Sequence, residues 1–168
     1  MRIGTKRLLW LCTAAVPALG LLVSASAKSP DTAGPYVPGL GEIMAATQMR
    51  HLKLWYAGAA QNWPLADYEV DELAEGFADA SRYHPHHKDA PRPLPELIPQ
   101  FTAAPIAALR TAIAAHNPVD FTAAYDALTA GCNGCHAAAG FAVNVVTRPT
   151  ANPYSNQQFA PQPPTSGR

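Results

Sequence analysis

The residues of this 168-residue chain best suited to chemistry are Cys132-Asn133-Gly134-Cys135-His136, two thiols three positions apart with an imidazole directly after them. This is the Cys-x-x-Cys-His spacing of covalent haem attachment. On one helical turn, thiols at i and i+3 can each add to one of the two vinyl groups on a haem edge, and the adjacent imidazole is then delivered to the iron as proximal ligand. The spacing predicts Cys132 and Cys135 as thioether attachments for one haem c and His136 as a metal ligand. Gly134 is expected to relieve crowding where the backbone passes the porphyrin. Other chemistries use the same pair of cysteines. A thioredoxin-like redox site wants a βαβ setting, and no strand pattern precedes the motif. A structural zinc site wants two more ligands, which His84, His86 and His87 are available to supply. A disulfide between i and i+3 within a helix is geometrically awkward.

Four helical patterns stand ready to position these groups. Wound at 100° per residue, Leu40, Ile43, Met44, Thr47, His51, Leu54 and Trp55 fall in one sector of a helix over residues 40–58, with Glu42, Arg50 and Lys53 outside it. Asn62-Trp63-Pro64 opens a second helix, which runs to about Tyr83 on Ala66, Val70, Leu73, Phe77 and Ala80. Residues 84–101, with Pro85, Pro91, Pro93, Pro95 and Pro99, are too rich in proline for a helix and predict a semi-rigid, solvated connector. A third helix is expected over Thr102–His116, with Ile106, Leu109 and Ile113 inward, and a fourth after Asn117-Pro118. On the fourth, Phe121, Tyr125, Leu128, Cys132 and Cys135 repeat at helical spacing, so both thiols continue a buried stripe. The fold class read from this is all-α, an antiparallel four-helix bundle over residues 28–146, with an extended or disordered C-terminal tail over 147–168.

Residues 1–27 read as an address. Arg2, Lys6 and Arg7 precede an apolar run from Leu8 to Val23, and Ala25-Ser26-Ala27 has the small-x-small form of a secretory cleavage site, so cleavage is expected after Ala27. The run is too short for the ~20 residues of a membrane span, so no stable membrane anchor is expected. Cleavage would take away Cys12 and three basic residues, leaving 141 residues with nine basic against 12 acidic side chains, a formal charge of −3. That balance gives nucleic acid no electrostatic purchase. It fits an exported protein of the bacterial periplasm.

An exported helical chain of this size, with its single Cys-x-x-Cys-His on the last helix, resembles the class II c-type cytochromes, cytochrome c′ and its low-spin cytochrome c-556 relatives, over about residues 38–140. The resemblance implies a four-helix bundle with haem between the helices, held by Cys132, Cys135 and His136. The chain departs from that family where Ala137-Ala138-Ala139-Gly140-Phe141 stands in place of a basic residue after the motif histidine, which marks a divergent branch. In such proteins the first helix lines the distal side, and here it offers His51 and Met44 as candidate sixth ligands; both also fit packing roles, and a vacant position is the third option. A protein ligand makes a low-spin carrier of single electrons, whereas a vacant position makes a binder of NO or CO. Peroxidase-like turnover ranks last, because no distal acid–base pair can be assembled beyond His51 itself, and no catalytic residue is assigned. Asp67, Asp71, Glu72, Glu75 and Asp79, with Glu69, give the second helix an acidic face for docking a basic redox partner. Arg148 and Arg50 are candidate partners of the haem propionates, and the Ala-rich third helix is open to homodimer contact.

Overall fold

A computed structural model describes residues 34–87 and 90–163. The expected signal segment 1–27 and its expected cleavage point lie outside the described residues, as do the last five positions of the tail. From Tyr36 onward the chain forms four helices, α1 Leu40–Ala59, α2 Trp63–Tyr83, α3 Leu94–Ala114 and α4 Pro118–Ala138, with no strand among the described residues. Three-residue turns make α1/α2 and α3/α4 antiparallel hairpins. These two pairs and the α2–α3 seam pack most extensively, while α1 and α4 touch much less.

The two hairpin turns share one solution. Each first helix ends on a non-glycine residue in the left-handed region, Gln61 at φ 54° and His116 at φ 52°. The next N–H reaches back to satisfy an orphan carbonyl, Asn62 to Ala57 at 2.9 Å and Asn117 to Ala112 at 2.9 Å. The same asparagines then cap the following helix: Asn117 Oδ1 accepts from the N–H groups of Val119 and Asp120 at 3.0 and 3.1 Å, and Asn62 Oδ1 accepts from Leu65 at 3.4 Å. A left-handed residue costs about 1–2 kcal/mol outside glycine. At His116 the ring stacks on Trp63 at 5.6 Å and 8°, which ties the two turns together.

The third helix begins eight residues earlier than its prolines predict. Pro95 occupies the first turn, where a missing N–H is harmless, but Pro99 and Pro105 lie inside the helix. The apolar stripe Leu94, Leu97, Ile98, Thr102, Leu109, Ala112, Ile113 is buried along its whole length, and that packing outweighs the two lost hydrogen bonds. The connector therefore shrinks to residues 84–93. It is pinned by Leu94 N–H to the Pro85 carbonyl at 2.9 Å and by His84 Nε2 to the Pro38 carbonyl at 2.8 Å. Pro105 leaves the Phe101 carbonyl without its helical donor, and this oxygen faces Gly131 of α4, where a Cβ would stand 2.3 Å from it. A Cβ on Gly134 would stand 2.9 Å from the Phe101 ring. Gly134 thus serves the close approach of α3 and α4.

The main core joins Leu54, Val70, Leu73, Leu109, Phe121, Tyr125 and Leu128 from all four helices. Its least anticipated member is Phe159. Residues 141–163 carry no helix or strand, yet Phe159 is buried, packs against Tyr56 at 5.5 Å, and its carbonyl accepts from Asn62 Nδ2 at 3.0 Å. The core therefore extends past residue 146, the expected end of the bundle domain.

Candidate functional site

A cavity of about 460 Å³ opens where α1 and α4 stand apart. Its walls bring together residues from every helix: Met44, Thr47 and His51 of α1, Leu73 and Phe77 of α2, Leu94, Ile98 and Thr102 of α3, and Cys132, Cys135 and His136 of α4. Phe141, Asn144 and Val146 from the tail and His87 from the connector complete it. The two thiols and the imidazole of the motif thus face one mainly apolar space.

The motif histidine is oriented by the chain that follows it. His136 Nδ1 lies 2.7 Å from the Asn144 carbonyl, so this nitrogen carries the proton and donates, and Nε2 keeps a free lone pair. The segment that carries Asn144 is in turn held at Val146 by Asn133, the second residue of the motif. Its side-chain amide donates to the Val146 carbonyl at 2.9 Å, and its Oδ1 accepts from Val146 N–H at 2.8 Å. Asn144 N–H also donates to the Phe141 carbonyl at 3.1 Å. The motif's variable position therefore clamps the segment that sets the histidine tautomer, a role its spacing alone does not signal.

Burial and the neighbouring Cys135 push the Cys132 thiol up to about 11, and burial pushes Cys135 up as well. Both cysteines are free and lie in the C-terminal half of α4, away from the helix N-terminus that lowers thiol pKa values in redox pairs. This arrangement disfavours thiolate exchange chemistry. Nor do the connector histidines build a zinc site with the thiols, for no group of three or more His, Cys, Asp or Glu converges among the described residues. His84 and His87 are half-buried and His86 is exposed, so the connector is only partly solvated.

The two candidates on α1 differ sharply. His51 is 3% exposed, and both ring nitrogens are engaged: Nδ1 lies 2.9 Å from the Tyr125 hydroxyl and Nε2 lies 2.9 Å from Thr129 Oγ1. Its ring also stacks on Tyr125 at 4.5 Å. Burial lowers its pKa to about 4, which keeps the ring neutral. Thr129 gives its single hydroxyl proton to the Tyr125 carbonyl at 2.9 Å, so His51 carries its proton on Nε2 and donates to Thr129 Oγ1, while the Tyr125 hydroxyl donates between Nδ1 and the His51 carbonyl at 3.0 Å. Met44 is half-buried, lines the cavity, and packs against the smaller core of Ile43, Ala80, Leu94, Leu97 and Ile98.

Neither candidate propionate partner reaches the cavity wall. Arg148 forms a two-point pair with Asp126, through Nε to Oδ1 at 2.9 Å and through Nη2 to Oδ2, and its guanidinium lies 4.6 Å over Trp55. Arg50 bridges α1 to α2 through Glu69 at 3.3 Å and Glu72 at 2.8 Å. The acidic face is correspondingly reduced. Glu69 is buried under Arg50, and burial pushes its carboxyl up against the pull of that cation. Glu72 shares Arg50, and Asp71 meets Arg110 of α3 at 2.7 Å. Asp67, Glu75 and Asp79 remain exposed.

The donor set and shape fit a haem bound at its edge: two thiols one helical turn apart, an imidazole with its distal nitrogen free, and an apolar space on the same side. No lysine or arginine stands among the described lining residues. No family model matches the chain, and no curated protein and no solved structure matches it.

Proposed function

We propose that this protein is an exported, monohaem c-type cytochrome that carries single electrons in the bacterial periplasm. The observation that carries the reading is the convergence of Cys132, Cys135 and His136 on one apolar cavity of about 460 Å³ within a four-helix bundle. Cys132 and Cys135 would hold the haem through thioether bonds, and His136 Nε2 would bind its iron. When bound, the group supplies a one-electron Fe(III)/Fe(II) couple. The chain's own residues do the rest. Asn144 fixes the proton of His136 on Nδ1, which turns the lone pair of Nε2 toward the cavity. Leu73, Phe77 and Ile98 exclude water, which favours the less charged oxidation state. The exposed acids Asp67, Glu75 and Asp79, with Asp71 and Glu72 at their edge, offer a basic redox partner a docking face, and Arg50 and Arg110 weaken it.

The test is expression of the full chain with the c-type maturation machinery. One haem per chain that survives acid–acetone extraction is expected, lost in a Cys132→Ala/Cys135→Ala double variant. A wild-type protein that emerges without covalent haem overturns the reading. CO added to the reduced protein separates an electron carrier from the alternative, a five-coordinate binder of NO or CO, because only a vacant sixth position gives an immediate, complete shift.

A further inference from the structure

The connector between α2 and α3 brings a third imidazole to the cavity that neither helix pattern nor motif points to. His87 lines the same cavity as Met44, Cys135 and His136, although it lies some fifty positions before the motif. The loop that carries it is fixed on both sides: His84 holds the Pro38 carbonyl at 2.8 Å, Pro85 accepts from Leu94 N–H at 2.9 Å, and the His87 carbonyl accepts from Ala90 N–H at 3.0 Å. Its backbone is therefore placed, while its ring makes no hydrogen bond to another described residue. The ring is half-buried at the cavity, so its lone pair stays available to a group bound there. The other two candidates already have occupations. His51 has both nitrogens engaged by Tyr125 and Thr129, and Met44 packs into the smaller core with Ile43 and Leu97.

We propose that His87 is the sixth ligand, so that the cavity holds its haem iron between two imidazoles, one from α4 and one from the α2–α3 connector. This rests on the reading of the cavity as a haem site. Imidazole lowers the reduction potential relative to a thioether in the same position, so the proposal places this protein among the lower-potential carriers and away from gas binding. It also gives the proline-rich connector a purpose. Its prolines and the His84 anchor hold one ligand across the cavity at little entropic cost, since proline restricts the unfolded chain more than other residues do.

The experiment uses the haem-loaded full chain and three variants, His87→Ala, His51→Gln and Met44→Leu. Wild type is expected to be low-spin with negligible CO uptake on reduction, and its near-infrared magnetic circular dichroism to show two imidazole ligands and no thioether. His87→Ala is expected to keep one covalent haem per chain, turn high-spin, bind CO at once, and return to low-spin on addition of free imidazole. The other two variants are expected to stay low-spin. A low-spin His87→Ala protein, a five-coordinate wild type or a thioether signature in wild type each overturns the assignment while leaving covalent haem attachment intact. Absence of covalent haem in the wild type overturns the attachment reading and this one together. The dichroism of wild type decides against a thioether without any variant, so a misfolded His87→Ala protein would not rescue the proposal.

Discussion

Replacing Asn133 by Ala removes both hydrogen bonds that tie the motif to the segment carrying Asn144. The two contacts to Val146 measure 2.9 and 2.8 Å. Each neutral hydrogen bond contributes about 0.5–1.5 kcal/mol net, so the pair is worth about 1–3 kcal/mol. Val146 is only half-buried, and its freed N–H and C=O regain water, which sets the expected loss at about 1–2 kcal/mol. At about 1.4 kcal/mol per factor of ten, exchange of the Val146 amide should quicken about tenfold, and the denaturation midpoint should fall accordingly. Asn133→Asp keeps the acceptor for Val146 N–H and loses the donor, so it should fall between the two. Once haem is attached, release of Asn144 frees His136 Nδ1, and the potential and spectrum should shift in Asn133→Ala. They should not shift in Val146→Ala, which keeps the backbone contacts. Amide exchange at Val146 that runs at the wild-type rate in Asn133→Ala refutes the clamp.

Three further outcomes are expected. Gly131→Ala should destabilise by about 1–3 kcal/mol despite the gain of about 1 kcal/mol in helix propensity, because its Cβ meets the Phe101 carbonyl at 2.3 Å, whereas Gly41→Ala faces open space and should be neutral or stabilising; urea midpoints of equal sign would count against the close α3–α4 approach. The depressed pKa of His51, about 4 against about 6.5 in the unfolded chain, makes its contribution complete above pH about 6.5 and lost as pH falls through about 4, a change of up to about 3 kcal/mol; His51→Gln should flatten stability over that window, and an unchanged slope would show that other groups set it. Phe159→Ala should cost about 3 kcal/mol, as an aromatic at the margin of the core, and a thermal midpoint within error of wild type would show that the tail docks without stabilising the bundle.

Periodicity made three of the four helices legible, and the reason lies in how each buries itself. α1, α2 and α4 carry uninterrupted stripes, and α2 and α4 open on an asparagine cap followed by an early proline, so local signals and tertiary packing agree. α3 sets them against each other: Pro95 and Pro99 argue locally for a connector, while Leu94, Leu97 and Ile98 find partners only when α1 and α2 are already in place. The same holds for Glu69. By spacing it belongs to an acidic face, and only Arg50 on the neighbouring helix explains its burial. Phe159 carried no period at all, since a single aromatic in an irregular tail becomes core only where the α1–α2 turn presents Asn62 and Tyr56 to it.

The site divides along the same line. Cys132, Cys135 and His136 were legible because their spacing is itself the geometry, three positions of one helical turn. What surrounds them comes from contacts of long sequence separation, and those set its chemistry. His51 stood on the buried stripe as an open candidate, and Tyr125 and Thr129, more than seventy positions away, turn it into a neutral, doubly held core residue. His87 belongs to a stretch whose composition reads as solvated, yet in the short connector that the early start of α3 leaves, it lines the cavity. A proline-rich segment that reads as a spacer therefore contributes a side chain to the cavity. The early start of α3 thus shapes the cavity: moving it to Thr102 would lengthen the connector, remove Leu94 and Ile98 from the wall, and release the Pro85 carbonyl that Leu94 N–H now holds.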